Sequence, residues 1–165
     1  EIHDLLSGEL QGDQVVVWFK YIAEIEFVYQ YLNKKHYKCR MIKGGSDKPT
    51  GMTELDFRLK TIKDFREGKF QVMLCMEKVA QYGIDCSTAS TAIYYSNEYG
   101  GEVRTQSEDR ILHVSKIEPL LYIDLLTEDT LDMENYDNII TKTTDSRIFM
   151  TSFNRFVNRL LGEAA

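Results

Sequence analysis

Residues 15–32 read VVVWFKYIAEIEFVYQYL, and two different patterns meet inside that stretch. Val15 to Phe19 is a short, unbroken β-branched and aromatic run, the kind of strand that is buried on both faces of a sheet. Directly after it, Ile22, Ile25, Val28, Tyr29 and Leu32 recur at helical spacing, which predicts an amphipathic helix of about three to four turns. A buried strand running straight into a helix is the opening of a βαβ unit, in which helical crossovers join parallel strands.

The alternation continues outward from there. Tyr37 to Ile42 reads as a second strand, and Gly44-Gly45 with the polar run Ser46 to Gly51 reads as a loop from which Pro49 excludes helix. Thr53 and Asp56 form a variant capping box; Leu55, Leu59, Ile62 and Phe65 mark the buried stripe of the helix behind it, and Gly68 stops it. Val72 to Met76 is a third buried strand, Glu77 to Ser90 a polar, Gly-interrupted connection, and Thr91 to Tyr95 a fourth strand. A loop over Ser96 to Arg104 leads into Thr105-Gln106-Ser107-Glu108, a capping box predicted to open a short helix. Leu120 to Leu126 makes a fifth strand, and helices follow over 130–141 and 152–161, the latter with Phe153, Phe156, Val157, Leu160 and Leu161 inward. This order predicts a single α/β domain over 1–165: a mainly parallel, Rossmann-like sheet of five or six strands in three layers, with helices on both faces. Right-handed crossovers then place the strand-to-helix loops along the carboxyl rim of the sheet, where ligands of α/β proteins bind.

Composition bounds the function. Of 165 residues 43% are hydrophobic and two are Pro, which excludes a disordered or collagen-like chain. No run of 18 apolar residues exists, so a membrane span is not predicted. The first residue is Glu, with no starting Met and no basic-apolar leader, so the reading is an intracellular globular domain cut from a longer protein. Cys39, Cys75 and Cys86 are odd in number and lack C-x-x-C spacing, which argues against a disulfide framework and a zinc ribbon. Charge is uneven: residues 1–76 carry 12 basic and 11 acidic side chains, residues 77–165 carry 8 and 15. Lys34, Lys35, Lys38, Arg40 and Lys43 form a basic stretch, whereas 118–137 holds seven acids and no base. A polyanion would approach the first and avoid the second, although solvated faces are the plainer explanation of such runs taken alone.

Few catalytic arrangements survive. The chain has no G-x-x-x-x-G-K-[ST] phosphate loop, no G-x-G-x-x-G and no nucleophile elbow, and His3, His36 and His113 stand at no metal-ligand spacing. Gln106, Arg110 and His113, at i, i+4 and i+7, would share one face of the helix opened at Thr105. An amide, a permanent guanidinium and an imidazole together suit a polyphosphate, since guanidinium donors match phosphate oxygens in pairs. A solvent-facing Arg110 paired with Glu108 or Asp109 is the plainer alternative. Gly83-Ile84-Asp85 lies one strand earlier, with a Gly for a tight backbone path and an Asp that accepts hydrogen bonds from a ribose or orders a neighbouring Arg.

Taken in order, these segments resemble the C-terminal RecA-like domain of a superfamily 2 helicase, most similar to the Swi/Snf-type DNA translocases. VVVWFKY at 15–21 resembles motif IV, FREGKFQVMLCMEKVAQYGIDCSTASTAIYYS at 65–96 the segment through motif V, RTQSEDRILH at 104–113 motif VI, and LLTEDTLDMENYD at 125–137 the strand and helix beyond it. The resemblance implies that Gln106 and Arg110 belong to motif VI, with Arg110 an arginine finger reaching ATP, whose Mg²⁺ and P-loop belong to a separate N-terminal RecA-like domain. It implies that Gly83 and Asp85, with His113 nearby, face the nucleotide. Lys20, Lys43, Gly44, Gly45 and Lys78 fall where the family contacts the nucleic-acid backbone, and bare glycine amides approach phosphates closely. His113 stands where the family has a second Arg, and Val114-Ser115-Lys116 replaces its Ile-Gly-Gln ending. Either Arg110 suffices, Arg104 compensates, or hydrolysis is weak.

Half of an ATP-dependent translocase on double-stranded DNA, inactive without its N-terminal partner, is the function this implies. A degenerate module that binds nucleic acid or protein without hydrolysis is the alternative, and a flavodoxin-like small-ligand domain, lacking a phosphate loop, ranks last.

Overall fold

The computed structural model describes residues 1–44, 48–99, 101–113, 116 and 119–142. Strand β1 (Val15–Phe19) is wholly buried, because it lies at the centre of the sheet. On one side it pairs with β3 (Val72–Met76), from Val15 opposite Val72 to Phe19 opposite Met76; on the other it pairs with β4 (Thr91–Tyr94). Strand β2 (Cys39–Ile42) lies beyond β3 and β5 (Leu121–Asp124) beyond β4, giving the order β2-β3-β1-β4-β5 with every pairing parallel. The anticipated parallel sheet is therefore present, with five strands among the described residues.

Helix α2 (Ile22–Lys34) carries the chain from β1 past β3 to β2. Helix α3 (Glu54–Arg66), the 3₁₀ helix Glu77–Tyr82 and α4 (Gly101–Glu108) carry it in the opposite direction, to β3, β4 and β5 in turn. Right-handed crossovers running in opposite directions cover opposite faces, so the three-layer architecture follows from strand order alone. Two elements adjust the sequence reading. Helix α1 (Ile2–Ser7) was not foreseen; it buries Ile2 and Leu6 and its His3 ring shares a 2.9 Å hydrogen bond with the Tyr37 hydroxyl. The connection from Glu77 to Ser90, read as polar, sends Val79, Ile84, Cys86 and Ala89 into the core. Helix α5 occupies residues 131–142, close to its anticipated place, while the helix read at 152–161 falls outside the described residues. No helix among the described residues is long and apolar enough to cross a membrane.

Helix α3 starts and stops as read: the Asp56 amide donates to Thr53 Oγ1 at 3.1 Å, and Gly68 turns the chain with φ +69°. Its buried face is different. Leu55 and Leu59 are 61% and 56% exposed, whereas Thr61, Asp64 and Phe65 are buried. Of the anticipated stripe, Phe65 is buried and Ile62 packs against the core, while half-buried Phe57 turns inward in place of Leu55 and Leu59, because aromatic rings bury the larger area. Phe65 meets Phe70 at a 5.2 Å centroid distance, Thr61 satisfies its hydroxyl on the Phe57 carbonyl at 2.8 Å, and Asp64 pairs with Lys69 at 2.7 Å. Phe65→Ala is accordingly expected to destabilise the fold by about 3–5 kcal/mol, and Leu59→Ala by no more than about 0.5 kcal/mol, in urea titration. The reverse ranking would restore the leucine stripe.

Candidate functional site

The segment carrying Arg110 is not built as its sequence implies. Thr105 does not open a helix; it lies inside α4, where its hydroxyl donates back to the Gly101 carbonyl at 2.9 Å, an i to i−4 bond that a threonine makes within a helix. The helix ends at Glu108, and Asp109, Arg110 and Ile111 form a tight turn whose amides reach the Thr105, Ser107 and Glu108 carbonyls at 3.0, 3.2 and 3.3 Å. Gln106, Arg110 and His113 therefore share no helical face. Gln106 bonds Glu102 at 3.3 Å, the Arg110 Nε donates to the Gln106 carbonyl at 3.1 Å, and His113 lies exposed beyond the turn. Ile111 enters the core as read.

The turn does meet the Gly83-Ile84-Asp85 loop. The Cys86 amide donates to the Arg110 carbonyl at 2.9 Å, which sets Asp85, Arg110 and His113 side by side, with Gly83 two residues away in a left-handed conformation at φ +73°. Asp85 accepts the Ser87 amide at 3.0 Å and pairs with Arg66 at 3.1 Å. Burial alone would raise its pKa, but the Ser87 hydroxyl and amide, Arg66 and His113 outweigh it and hold the carboxyl below the usual range. Residues 86–90 lead into β4, so this cluster lies at the amino-terminal edge of the sheet and not on the carboxyl rim. The reason is topological: α4 starts beyond the end of β4 and descends towards the start of β5, so whatever follows its last turn reaches the opposite edge.

Lys20, Lys43, Gly44 and Lys78 follow β1, β2 and β3 and do stand at the carboxyl rim. The Lys20 ammonium sits 3.0 Å from the centre of the Tyr99 ring and 5.0 Å from that of Tyr21. Lys43 pairs with Glu26 of α2, and Lys78 with Glu98 at 3.1 Å. Gly44 has φ +77°, a conformation that favours glycine; Gly45 lies outside the described residues. The basic stretch is divided: Lys34, Lys35 and Lys38 precede β2 at the amino edge, Arg40 is on the strand, and Lys43 follows it.

Between the two edges lies a buried polar network that the sequence reading missed. Arg104 of α4 is 3% exposed. Its Nε donates to Glu108 at 2.8 Å, one terminal nitrogen to Asn97 at 2.9 Å and Asp124 at 2.5 Å, and the other to Asp124 at 3.0 Å. The guanidinium also lies 3.4 Å from the centre of the Tyr94 ring. Asn97 donates to Asp124 at 3.0 Å, and its own carbonyl accepts the Asn135 side chain of α5 at 3.1 Å. Glu77, fully buried, accepts the Glu98 amide at 2.7 Å through one oxygen, while the other has no hydrogen-bond partner among the described residues.

Residues 1–115 match the family model for the helicase conserved C-terminal domain. The chain belongs to that family. Among curated relatives, the chromatin-remodeling ATPase INO80 of Aspergillus terreus is 25% identical over 152 residues, spanning 90% of this chain and 8% of that protein. INO80 of Gibberella zeae is 25% identical over 135 residues, 80% of this chain and 7% of that protein. The crystal structure of the C-terminal part of the Fun30 ATPase domain shares the fold at a TM-score of 0.72 and 18% identity, covering 84% of this chain and 43% of that one. The resemblance to a Swi/Snf-type superfamily 2 C-terminal domain and the RecA-like three-layer fold are both borne out. The chain spans less than a tenth of the INO80 proteins just described.

Within this helicase C-terminal domain, Arg104 does not compensate at the surface for His113, because its guanidinium is buried among Asn97, Glu108 and Asp124. No local pattern marks it: an Arg in a polar helix and an Asp closing a strand look solvated in sequence, and only the fold brings them together. Burial pushes the Glu77 carboxyl up to about 7, reinforced by Glu98 and Asp124 and opposed by the Glu98 amide and Arg104. An unfolded glutamate ionises near 4.5, so between 4.5 and about 7 the folded state holds a proton that the unfolded state has lost, and stability falls as pH rises. Glu77→Gln, neutral throughout, is expected to remove most of that decline, on the order of 3 kcal/mol, in urea titrations at about pH 4.5 and pH 8. An equal decline in both proteins would locate the titration elsewhere.

Proposed function

We propose that this domain is the C-terminal half of an ATP-driven translocase on double-stranded DNA, working inside the cell on nucleoid or nuclear DNA. The observation that carries the reading is the bond from the Cys86 amide to the Arg110 carbonyl: it joins the two motif-bearing segments, far apart in sequence, into one edge. That edge offers Arg110 as the donor to a triphosphate and Asp85 as an acceptor for a ribose or an ordering group. It supplies no phosphate-cradling loop, so the residues fit one wall of an ATP site, and the P-loop and Mg²⁺ ligands belong to an N-terminal RecA-like domain. Gln106, bonded through its carbonyl to Arg110 Nε, orients the guanidinium. His113 and Gly83 border the same wall.

The opposite rim grips the polyanion. Lys20 between Tyr99 and Tyr21, exposed Lys78, Lys43 and Gly44 present cations and a backbone amide to phosphates, and Gly45, read from the sequence alone, is assigned to the same grip. Contacts of that kind read no base sequence, so binding is salt-dependent and sequence-tolerant. The second reading, a module that binds without hydrolysis, draws on His113 in place of a second guanidinium.

The test uses the full protein carrying this domain. Arg110→Ala is expected to lower DNA-stimulated ATP hydrolysis by about 10³-fold or more while duplex affinity is kept. An undiminished rate overturns the assignment, and a wild type that binds DNA without hydrolysing ATP establishes the second reading. Lys20→Glu with Lys78→Glu is expected to weaken duplex binding on every sequence and to reduce the salt slope by about one for each phosphate no longer neutralised. Unchanged affinity removes these lysines from the interface, and preference for RNA over duplex DNA would reassign the substrate.

A further inference from the structure

The two halves of the proposed site lie on opposite edges of the sheet, and one helix runs between them. Helix α4 begins beyond β4, at the carboxyl rim, and ends at the turn that carries Arg110. Only Arg104 and Ser107 of α4 are buried. The Arg104 guanidinium anchors the upper end of the helix to Asn97 and to Asp124, the last residue of β5. One turn further on it holds Glu108, whose carbonyl receives the Ile111 amide of the Arg110 turn at 3.3 Å and the Tyr122 hydroxyl at 3.4 Å. The Arg104 carbonyl accepts the Ser107 hydroxyl at 2.8 Å, and the Ser107 carbonyl accepts the Arg110 amide at 3.2 Å.

Upward from Arg104, the same fixing extends through residues 96–99. Ser96 accepts the Lys20 amide at 2.8 Å, Asn97 is clamped between Asp124 and Asn135, the Glu98 amide is held by Glu77 while its carboxylate pairs with Lys78, and Tyr99 lies against Lys20. Every basic side chain placed at this rim except Lys43 is thus tied to that four-residue loop. Both arms converge on one buried guanidinium, whose planar fork reaches two carboxylates and an amide at once, a set of bonds that an ammonium cannot reproduce.

We infer that Arg104 is a positioning residue that couples the nucleic-acid rim to the nucleotide edge: by holding the 96–99 loop and the last turn of α4 in one register, it transmits the engagement of DNA at Lys20 and Lys78 to the placement of Arg110. The functional half of this inference rests on the translocase reading above; the structural half does not. Arg104 touches neither ligand. Its buried bonds give the two edges a shared support, a physical connection and not merely intermediate position.

Arg104→Lys in the full protein tests it by two readouts. Amide hydrogen exchange is read at Glu98, bonded to Glu77 on one edge, and at Cys86, bonded to Arg110 on the other. Both amides are expected to exchange about tenfold or more faster, and the ratio of DNA-stimulated to unstimulated ATPase to fall by a similar factor. Faster exchange at one edge alone overturns the coupling, as does an unchanged stimulation ratio when both amides loosen. If the wild type shows no stimulation, the translocase reading fails by itself, and exchange at the two amides still decides whether Arg104 joins the edges. Glu108→Gln, which keeps the side chain's length and weakens the bond from Arg104 Nε while leaving Asn97 and Asp124 in place, is the milder second variant and is expected to loosen the Cys86 amide more than the Glu98 amide; equal loosening or none there counts against the inference.

Discussion

A guanidinium with 3% of its surface exposed gives up nearly all its hydration, and an unpaired charge so placed would be incompatible with a stable fold. Arg104 is tolerated because its surroundings replace water atom for atom: a two-pronged carboxylate in Asp124, a second carboxylate in Glu108, the Asn97 side chain and the face of Tyr94. Although burial opposes its charge, Asp124 and Tyr94 raise its pKa further, so it stays protonated at every pH the fold survives. Such a group adds little net stability over an apolar replacement of the same shape. Its value lies in geometry, since one arrangement of β4, β5, α4 and α5 satisfies it and displaced ones leave buried charge unmatched.

The parallel sheet dictates where the rest must fall. Among the described residues every strand ends at the same rim, and each helix that joins two strands returns the chain to the other edge, so residues just after a strand and residues just after such a helix sit at opposite edges of the sheet. Lys20 and Lys78 belong to the first kind; Arg110, and Asp85 in the segment leading into β4, belong to the second. On the proposed reading this separation is useful. A duplex, an extended polyanion, needs a broad exposed rim, and a triphosphate needs a few donors brought close to a partner domain. One layer of strands keeps both in fixed relation.

Much of this was legible in the sequence, and the failures have physical causes. Val15 to Phe19 and Val72 to Met76 announce themselves because strands buried on both faces tolerate nothing but apolar side chains. The Thr53 cap and the Gly68 stop are local chemistry, and both are observed. Thr105 misled because the same hydroxyl that caps a helix start also bonds backward inside a helix, and the residues before it, Gly101 to Arg104, carry no apolar periodicity to reveal the earlier start. Leu55 and Leu59 misled because Phe57 fits the helical period with Phe65 as well as they do, and only the sheet chose between them. Arg104, Asp124 and Glu77 were illegible as a network: the Asp124 and Glu98 partners of Arg104 and Glu77 are 20 or more residues distant, and no spacing rule reaches across a crossover.

On the proposed reading, the edge that holds Arg110 and the Asp85 loop meets a triphosphate mainly through one side chain, because His113 stands where the resemblance implies a second Arg. With Arg104 buried, the cations described beside the Asp85 loop are Arg110, Arg66 and Lys116. Arg66 is paired with Asp85, and Lys116 donates to the Ser87 and Ala89 carbonyls at 3.0 and 2.5 Å. On the proposed reading the attraction of this edge for a triphosphate rests mainly on Arg110, whose guanidinium offers the paired donors that an imidazole lacks. That guanidinium is half-buried, with its Nε fixed by the Gln106 carbonyl and its own carbonyl fixed by Cys86. Preorganisation of this kind makes a single charge effective, because donors already aimed at a developing anion need no rearrangement when it forms. On the proposed reading, a turn held from both sides, by α4 and by the Asp85 loop, aims the single Arg110 guanidinium at the bound phosphates.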